Sequence, residues 1–209
     1  MPKRSPGKSG EQTTETKDVI IRAALEAVRE LGFAGATARA IARIGGFNQA
    51  LIFYHFGSVD RVLLAALDAT STSRMERYRG SIEGSRSLDE LIQVARRNYR
   101  EDLESGHMTV VAEIVAGGVA DPMLRSEIAT RMHSWVDFVE VVLDRFLRDS
   151  PLSGFVRTRD IAFAVVAFYV GINLLSRTGD DGDWVDGLFD AAEGVSPLLV
   201  PLLASQPVD

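Results

Sequence analysis

The chain has 209 residues, 46% of them hydrophobic and 25% charged, with no cysteine and three histidines, His55, His107 and His133. Disulfides, thiolate metal sites, iron–sulfur ligation and cysteine nucleophiles are excluded, a histidine-rich metal or acid–base centre has little material, and no cofactor is expected. The net charge is −6, but residues 1–56 carry eight basic against five acidic side chains, so the amino-terminal part alone is positive; a phosphate feels the field within about 8–10 Å.

Residues 1–12 are rich in Lys, Ser, Gly and Pro without periodicity and read as a flexible basic arm, with no apolar core of a secretory leader. From Thr14 to Leu31 the recurrence of Ile20, Ala24, Ala27, Val28 and Leu31 predicts a helix, and Gly32 supplies a left-handed stop. Thr37 is placed to cap a short helix whose inward face is Ile41 and Ala42. Gly45-Gly46 breaks that helix. Asn48 then caps a helix from about Gln49 to His55, anchored by Phe47, Ile52 and Phe56, and Gly57-Ser58 closes the unit. Two short helices joined by a glycine-containing turn and packed on a longer one make a helix-turn-helix pattern. Downstream, Val59–Arg79, Leu88–Gly106, Met108–Ala116, Met123–Arg148 and Asp160–Arg177 all read as helices. A last helical stretch, Trp184–Ala204, carries interruptions at Gly194 and Pro197, where Ser196-Pro197 suits the start of another turn. No alternating strand pattern competes, so the fold class is all-α. No stretch reaches the roughly 18–20 apolar residues of a bilayer span, and the expectation is a soluble, cytoplasmic protein with no membrane partner.

The run from Thr37 to Phe56, with Ile41-Ala42, Gly46 and Tyr54-His55-Phe56 as its specific part, resembles the DNA-binding module of the TetR family of repressors. The resemblance covers about residues 15–70; the remainder is similar to the family only in being helical and of suitable length. It implies an N-terminal three-helix helix-turn-helix domain followed by a larger helical ligand-binding and dimerisation domain. The boundaries expected are 1–12 for the arm, 13–58 for the DNA-binding domain and 59–209 for the effector-binding and dimerisation domain. It also implies a homodimeric regulator, usually a repressor, whose third helix enters the major groove of double-stranded DNA.

In such a layout the early residues and outward face of the recognition helix read bases, while neighbouring groups hold phosphates. Gln49 is the best base reader, because its amide can pair bidentately with adenine. Ala50 permits close approach, and Leu51 either touches a thymine methyl or packs inward. Asn48, Phe53, Tyr54 and His55 complete the surface, with Thr37, Arg39 and Arg43 on the preceding helix; His55 alternatively ends its helix against the dipole. Two positions depart from the family, which often has Tyr in place of Phe53 and Lys in place of Val59. Each departure removes a phosphate partner, which Lys3, Arg4 and Lys8 on the arm would replace in or along the minor groove. A helical protein-interaction module that has lost specific DNA binding is the alternative. An enzyme is not expected: there is no glycine-rich phosphate loop and no metal spacing.

Ile161 to Leu175 is apolar except for Asn173, and its ~22 Å as a helix falls short of a ~30 Å hydrocarbon core. A helix apolar on all sides must be covered on all sides, which favours a subunit partner over a monomer built around it. With Trp184, Leu188, Phe189 and Leu198 it fits the family's four-helix dimer interface, where Ala162, Ala164, Ala167 and Gly171 would allow close approach. Two-fold symmetry would set two recognition helices about 34–36 Å apart on a palindromic operator. Between these elements, Tyr99, Met108, Glu113, Met132, His133, Trp135, Phe138, Phe168, Tyr169 and Asn173 either line an adaptable pocket for a largely apolar small-molecule effector or form ordinary core. Glu113, inside Val-Val-Ala-Glu-Ile-Val-Ala, faces solvent or needs a partner.

Overall fold

In the computed structural model, which describes residues 7–175 and 182–203, every regular element is helical, in agreement with the all-α expectation. Helix α1 (Gly7–Gly35) buries Ile20, Ala24, Ala27 and Val28 completely, the stripe that its spacing predicts. It begins at Gly7 rather than Thr14, so the segment read as a flexible arm is helical from residue 7. No proline falls between Gly7 and Leu31, and extending an anchored helix adds a hydrogen bond per residue without a second nucleation. Lys3 and Arg4 lie outside the described residues. Regular helix geometry breaks at Gly32, whose φ of 72° and ψ of 176° no residue with a side chain adopts cheaply.

Helix α2 (Ala38–Gly45) starts at Thr37, whose Oγ1 accepts from Ala40 N at 3.3 Å, and stops at left-handed Gly46, whose N–H donates to Ala42 O. Helix α3 (Ala50–Phe56) begins one residue later than expected. Asn48 Oδ1 accepts from Ala50 N at 2.9 Å, and the bonds from Leu51 N to Asn48 O and Ile52 N to Gln49 O draw Gln49 into a tight first turn. Helix α4 (Val59–Ile82) follows, with Ser58 Oγ accepting from Arg61 N.

The remaining helices are α5 (Leu88–Glu104), α6 (His107–Gly118), α7 (Pro122–Leu147), α8 (Thr158–Leu175) and α9 (Gly182–Leu203), with a 3₁₀ turn at Pro151–Gly154. Their starts follow local chemistry. Ser87 Oγ accepts from Glu90 N while Glu90 Oε2 accepts from Arg86 N, and Asp121 Oδ1 accepts from both Met123 N and Leu124 N. The expected interruption at Gly194 and Pro197 does not occur: α9 runs through both. Arg96 on α5 holds α9 through Asp186 O, Asp190 and Glu193, so the backbone bond lost at Pro197 is outweighed by tertiary contacts.

Compactness divides the chain into two units. The first runs to Thr70 and includes Glu113–Glu127; the second comprises Ser71–Ala112 and the chain from Ile128 onward. The first therefore reaches beyond the boundary expected at residue 58. Its core shows why: Val62, Leu63, Ala66 and Leu67 on α4 and Ile114 on α6 are buried, as are Ile41 and Ile52. In the second unit Tyr99, Ile172 and Val185 form a buried cluster with Tyr169 and Phe189 packed against it.

Helix α8 extends back to Thr158, and over its 18 residues it is long and apolar enough to cross a membrane by length and composition alone. The sequence expectation, which started at Ile161, missed this because the capping turn adds length. That turn carries Arg159, paired with Asp137 and Glu140 on α7. Phe163, Phe168, Leu174 and Leu175 on α8, and Trp184, Leu188 and Leu198 on α9, are exposed in the single chain.

Candidate nucleic-acid interface and interior cavity

The helix-turn-helix turns its apolar residues inward and leaves a polar and aromatic surface outside. Ile41, Ala42 and Ile52 are buried, while Thr37, Arg39 and Arg43 on one element and Asn48, Gln49, Ala50, Phe53 and Tyr54 on the next are exposed. Leu51 and His55 are half-buried, as are the two expected anchors Phe47 and Phe56. Tyr54 is 81% exposed and meets the His55 ring edge-on at 4.8 Å. An aromatic so exposed gains nothing from the core of its own chain. Among the described residues neither Arg39 nor Arg43 makes an ion pair, so both guanidinium groups remain available to an outside anion. Arg61, which the sequence reading passed over, is also exposed; its Nη1 lies over Gly57 at the junction of α3 and α4. Its position two residues beyond Val59, where a basic side chain was missed, was the available signal.

Glu113 finds the partner that its apolar surroundings required. Its Oε2 accepts from Phe33 N at 3.0 Å, where the break at Gly32 leaves that amide without a helical acceptor. The left-handed glycine also admits the carboxylate, since a Cβ on Gly32 would lie 3.1 Å from Oε2.

The second unit contains a cavity of about 300 Å³ whose wall brings together Met108, Met132, Trp135, Phe138 and Tyr169 from the expected set, with Tyr78, Asn98 and aliphatic side chains of α4, α5, α7 and α8. Five expected residues are elsewhere. Tyr99 packs edge-on against Tyr169 and beside Phe189; Glu113 is held by Phe33 N; His133 and Phe168 point outward; and Asn173, though buried, donates to Tyr169 O within α8. Residue type alone did not separate the faces of these helices, because apolar side chains occupy several faces of α8 and α7.

Beside the cavity lies a buried carboxylate that the sequence reading also passed over. Asp102 is fully buried and receives Arg74 Nη1 and Arg77 Nη2 on Oδ1 and the hydroxyls of Tyr78 and Tyr169 on Oδ2, the last at 2.8 Å. Burial pushes its carboxyl up to about 6, against the opposing effects of the Tyr169 hydrogen bond and the Arg77 charge. Burial and the adjacent carboxylate both raise the Tyr169 phenol, so it keeps its proton. Trp135 Nε1 donates to Ser71 Oγ at 3.1 Å, fixing its ring in the wall. Among the described residues no group of acidic and imidazole side chains is arranged to hold a metal ion.

Comparison with known proteins bears on the helix-turn-helix and on the fold. Residues 20–66 match the family described as bacterial regulatory proteins, tetR family. The HTH-type transcriptional regulator UidR of Escherichia coli K12 is 26% identical over 128 residues, 61% of this chain and 63% of the relative. The HTH-type transcriptional repressor AcnR of Corynebacterium glutamicum is 27% identical over 140 residues, 67% of this chain and 66% of the relative. The alignment thus spans about three fifths of the length of UidR. A TetR-family transcriptional regulator from Rhodococcus sp. superimposes with a TM-score of 0.71 at 22% identity, covering 87% of this chain and 98% of the other, which shows a shared fold. By name these relatives are regulators of transcription. Over residues 20–66, within the helix-turn-helix that α1 to α4 build, the chain is thus similar to the TetR family of bacterial regulatory proteins.

Proposed function

We propose that this protein is a homodimeric transcriptional repressor that binds a palindromic operator through its helix-turn-helix and is controlled by a small-molecule effector in the second-unit cavity. The observation that carries the reading is the exposed set Arg39, Arg43, Gln49, Ala50 and Tyr54, which the core leaves facing outward on two successive short helices. Gln49, at the first turn of α3, reads a base edge; Thr37, Arg39, Arg43, Tyr54 and His55 hold phosphates. Arg61 takes the phosphate contact that Val59 lacks. AcnR, a repressor by name, supports the direction of regulation.

Pairing of two chains through α8 and α9 covers Phe163, Phe168, Trp184 and Leu198, which a lone chain leaves in water. The cavity suits a largely apolar effector. Helix α6 contributes Met108 and Val111 to the cavity wall and Glu113 to the bond with Phe33 N, so one element carries both features. Control follows if the ligand and DNA favour different placements of that element.

The test is a salt titration of binding to the DNA upstream of the protein's own gene. A sequence-preferring dimer whose affinity falls steeply with salt supports the reading. Stable association with another protein and none with DNA would favour an interaction module instead.

A further inference from the structure

We infer that the cavity selects uncharged ligands that present a hydrogen-bond donor, and that the Tyr78–Asp102–Tyr169 cluster makes it reject carboxylates. The inference deepens the effector reading and rests on it. The wall contains no acidic, basic or imidazole side chain. A charged ligand would therefore leave water for a surface that cannot balance it, at a cost that neutral ligands avoid. The charges behind the wall are already matched: Asp102 faces Arg74 and Arg77, and Arg77 is also paired with Glu101.

The polar members of the wall sharpen the choice. Each tyrosine hydroxyl has one proton, and those of Tyr78 and Tyr169 are taken up inside the cluster, by Asp102 Oδ2 or by the neighbouring hydroxyl at 3.2 Å. Toward any ligand the two hydroxyls have only lone pairs to offer. An alcohol, phenol or amide N–H satisfies such acceptors, whereas a carboxylate brings further lone pairs to the same place. Asn98 gives one of its two amide protons to Ser81 Oγ, and as a neutral group it cannot balance an anion. The tyrosine hydroxyls of the wall thus accept rather than donate, and the cause is a carboxylate behind the wall.

Trp135 in the wall reports occupancy, and its only companion in the chain, exposed Trp184, is silenced by W184F. Quenching of Trp135 in the full-length W184F protein at pH 8 is titrated with 1-decanol, decanoate and decylammonium, probes that share one tail. The expected result is that decanol binds at least tenfold more tightly than either ion. Asp102→Asn releases a tyrosine proton and should narrow the alcohol-to-carboxylate ratio to below threefold. Tyr169→Phe, which spares the charge cluster, should weaken decanol while leaving decanoate unchanged; it decides the matter if the Asp102 variant does not fold. Decanoate or decylammonium binding as tightly as decanol, or no quenching by any probe, overturns the inference. Decanol binding that leaves operator affinity unchanged would overturn the effector reading and leave the selectivity standing.

Discussion

Replacing Asp102 with asparagine keeps the shape of the buried cluster and replaces its carboxyl with a neutral amide. The consequence for stability can be worked from the environment. A carboxyl moved from its ordinary 3.8 up to about 6 binds its proton more tightly in the folded chain than in the unfolded one. The stability it contributes is therefore complete below pH 4 and lost as the pH rises through 6. At ~1.4 kcal/mol for each pH unit of difference, the full effect is ~3 kcal/mol, of which ~2 kcal/mol falls between pH 4.5 and 7.5. Every other group titrates alike in the two proteins, so the difference between wild type and Asp102→Asn isolates this one. Urea unfolding followed by circular dichroism at the two pH values measures it. Wild type should gain ~2 kcal/mol on the variant on going from pH 7.5 to 4.5. A difference that is flat, or that grows toward pH 7.5, would mean that the two arginines outweigh burial and that the carboxylate is stabilised by its pairing.

The surface predictions concern DNA. Gln49→Ala should cost about 1–3 kcal/mol of operator affinity and relax preference at one base position, read by binding to a set of single-base operator variants. Arg43→Ala and Arg61→Ala should each weaken binding to all sequences alike and lower the salt slope by about one; altered sequence preference would show that the residue reads a base. Phe168→Asp, at an exposed position of α8, should turn the dimer into monomers in analytical ultracentrifugation without unfolding the chain. An intact dimer carrying that aspartate would refute the interface. Val165 is a poorer site for this test because it also lines the cavity.

The helix-turn-helix was legible because its signals are local. Thr37 caps the chain's own next turn, Gly32 and Gly46 adopt backbone angles that side chains oppose, and the Ile20–Ala24–Val28 stripe declares a buried face. Even here, short-range rules misplaced the ends. The first turn of α3 tightened around Asn48, and α1 grew back to Gly7 because nothing in the sequence stopped it. The cavity was half legible. Methionines and aromatics named five of its wall residues, but Tyr99, Glu113, His133, Phe168 and Asn173 turn elsewhere, since a helix with several apolar faces does not say which one looks inward.

Composition, spacing and capping chemistry by themselves determined an all-helical chain that starts with a positively charged segment containing a helix-turn-helix pattern. What they left open was long-range. Asp102 reads as one more solvated acid on an amphipathic helix, and only folding sets it beside Arg74 and Tyr78, 28 and 24 positions away, and Tyr169, 67 positions away. Glu113 meets Phe33 N across 80 positions. Hydrogen bonds between groups so far apart depend on which helix faces pack together. That choice belongs to the summed burial of many apolar side chains rather than to any one motif.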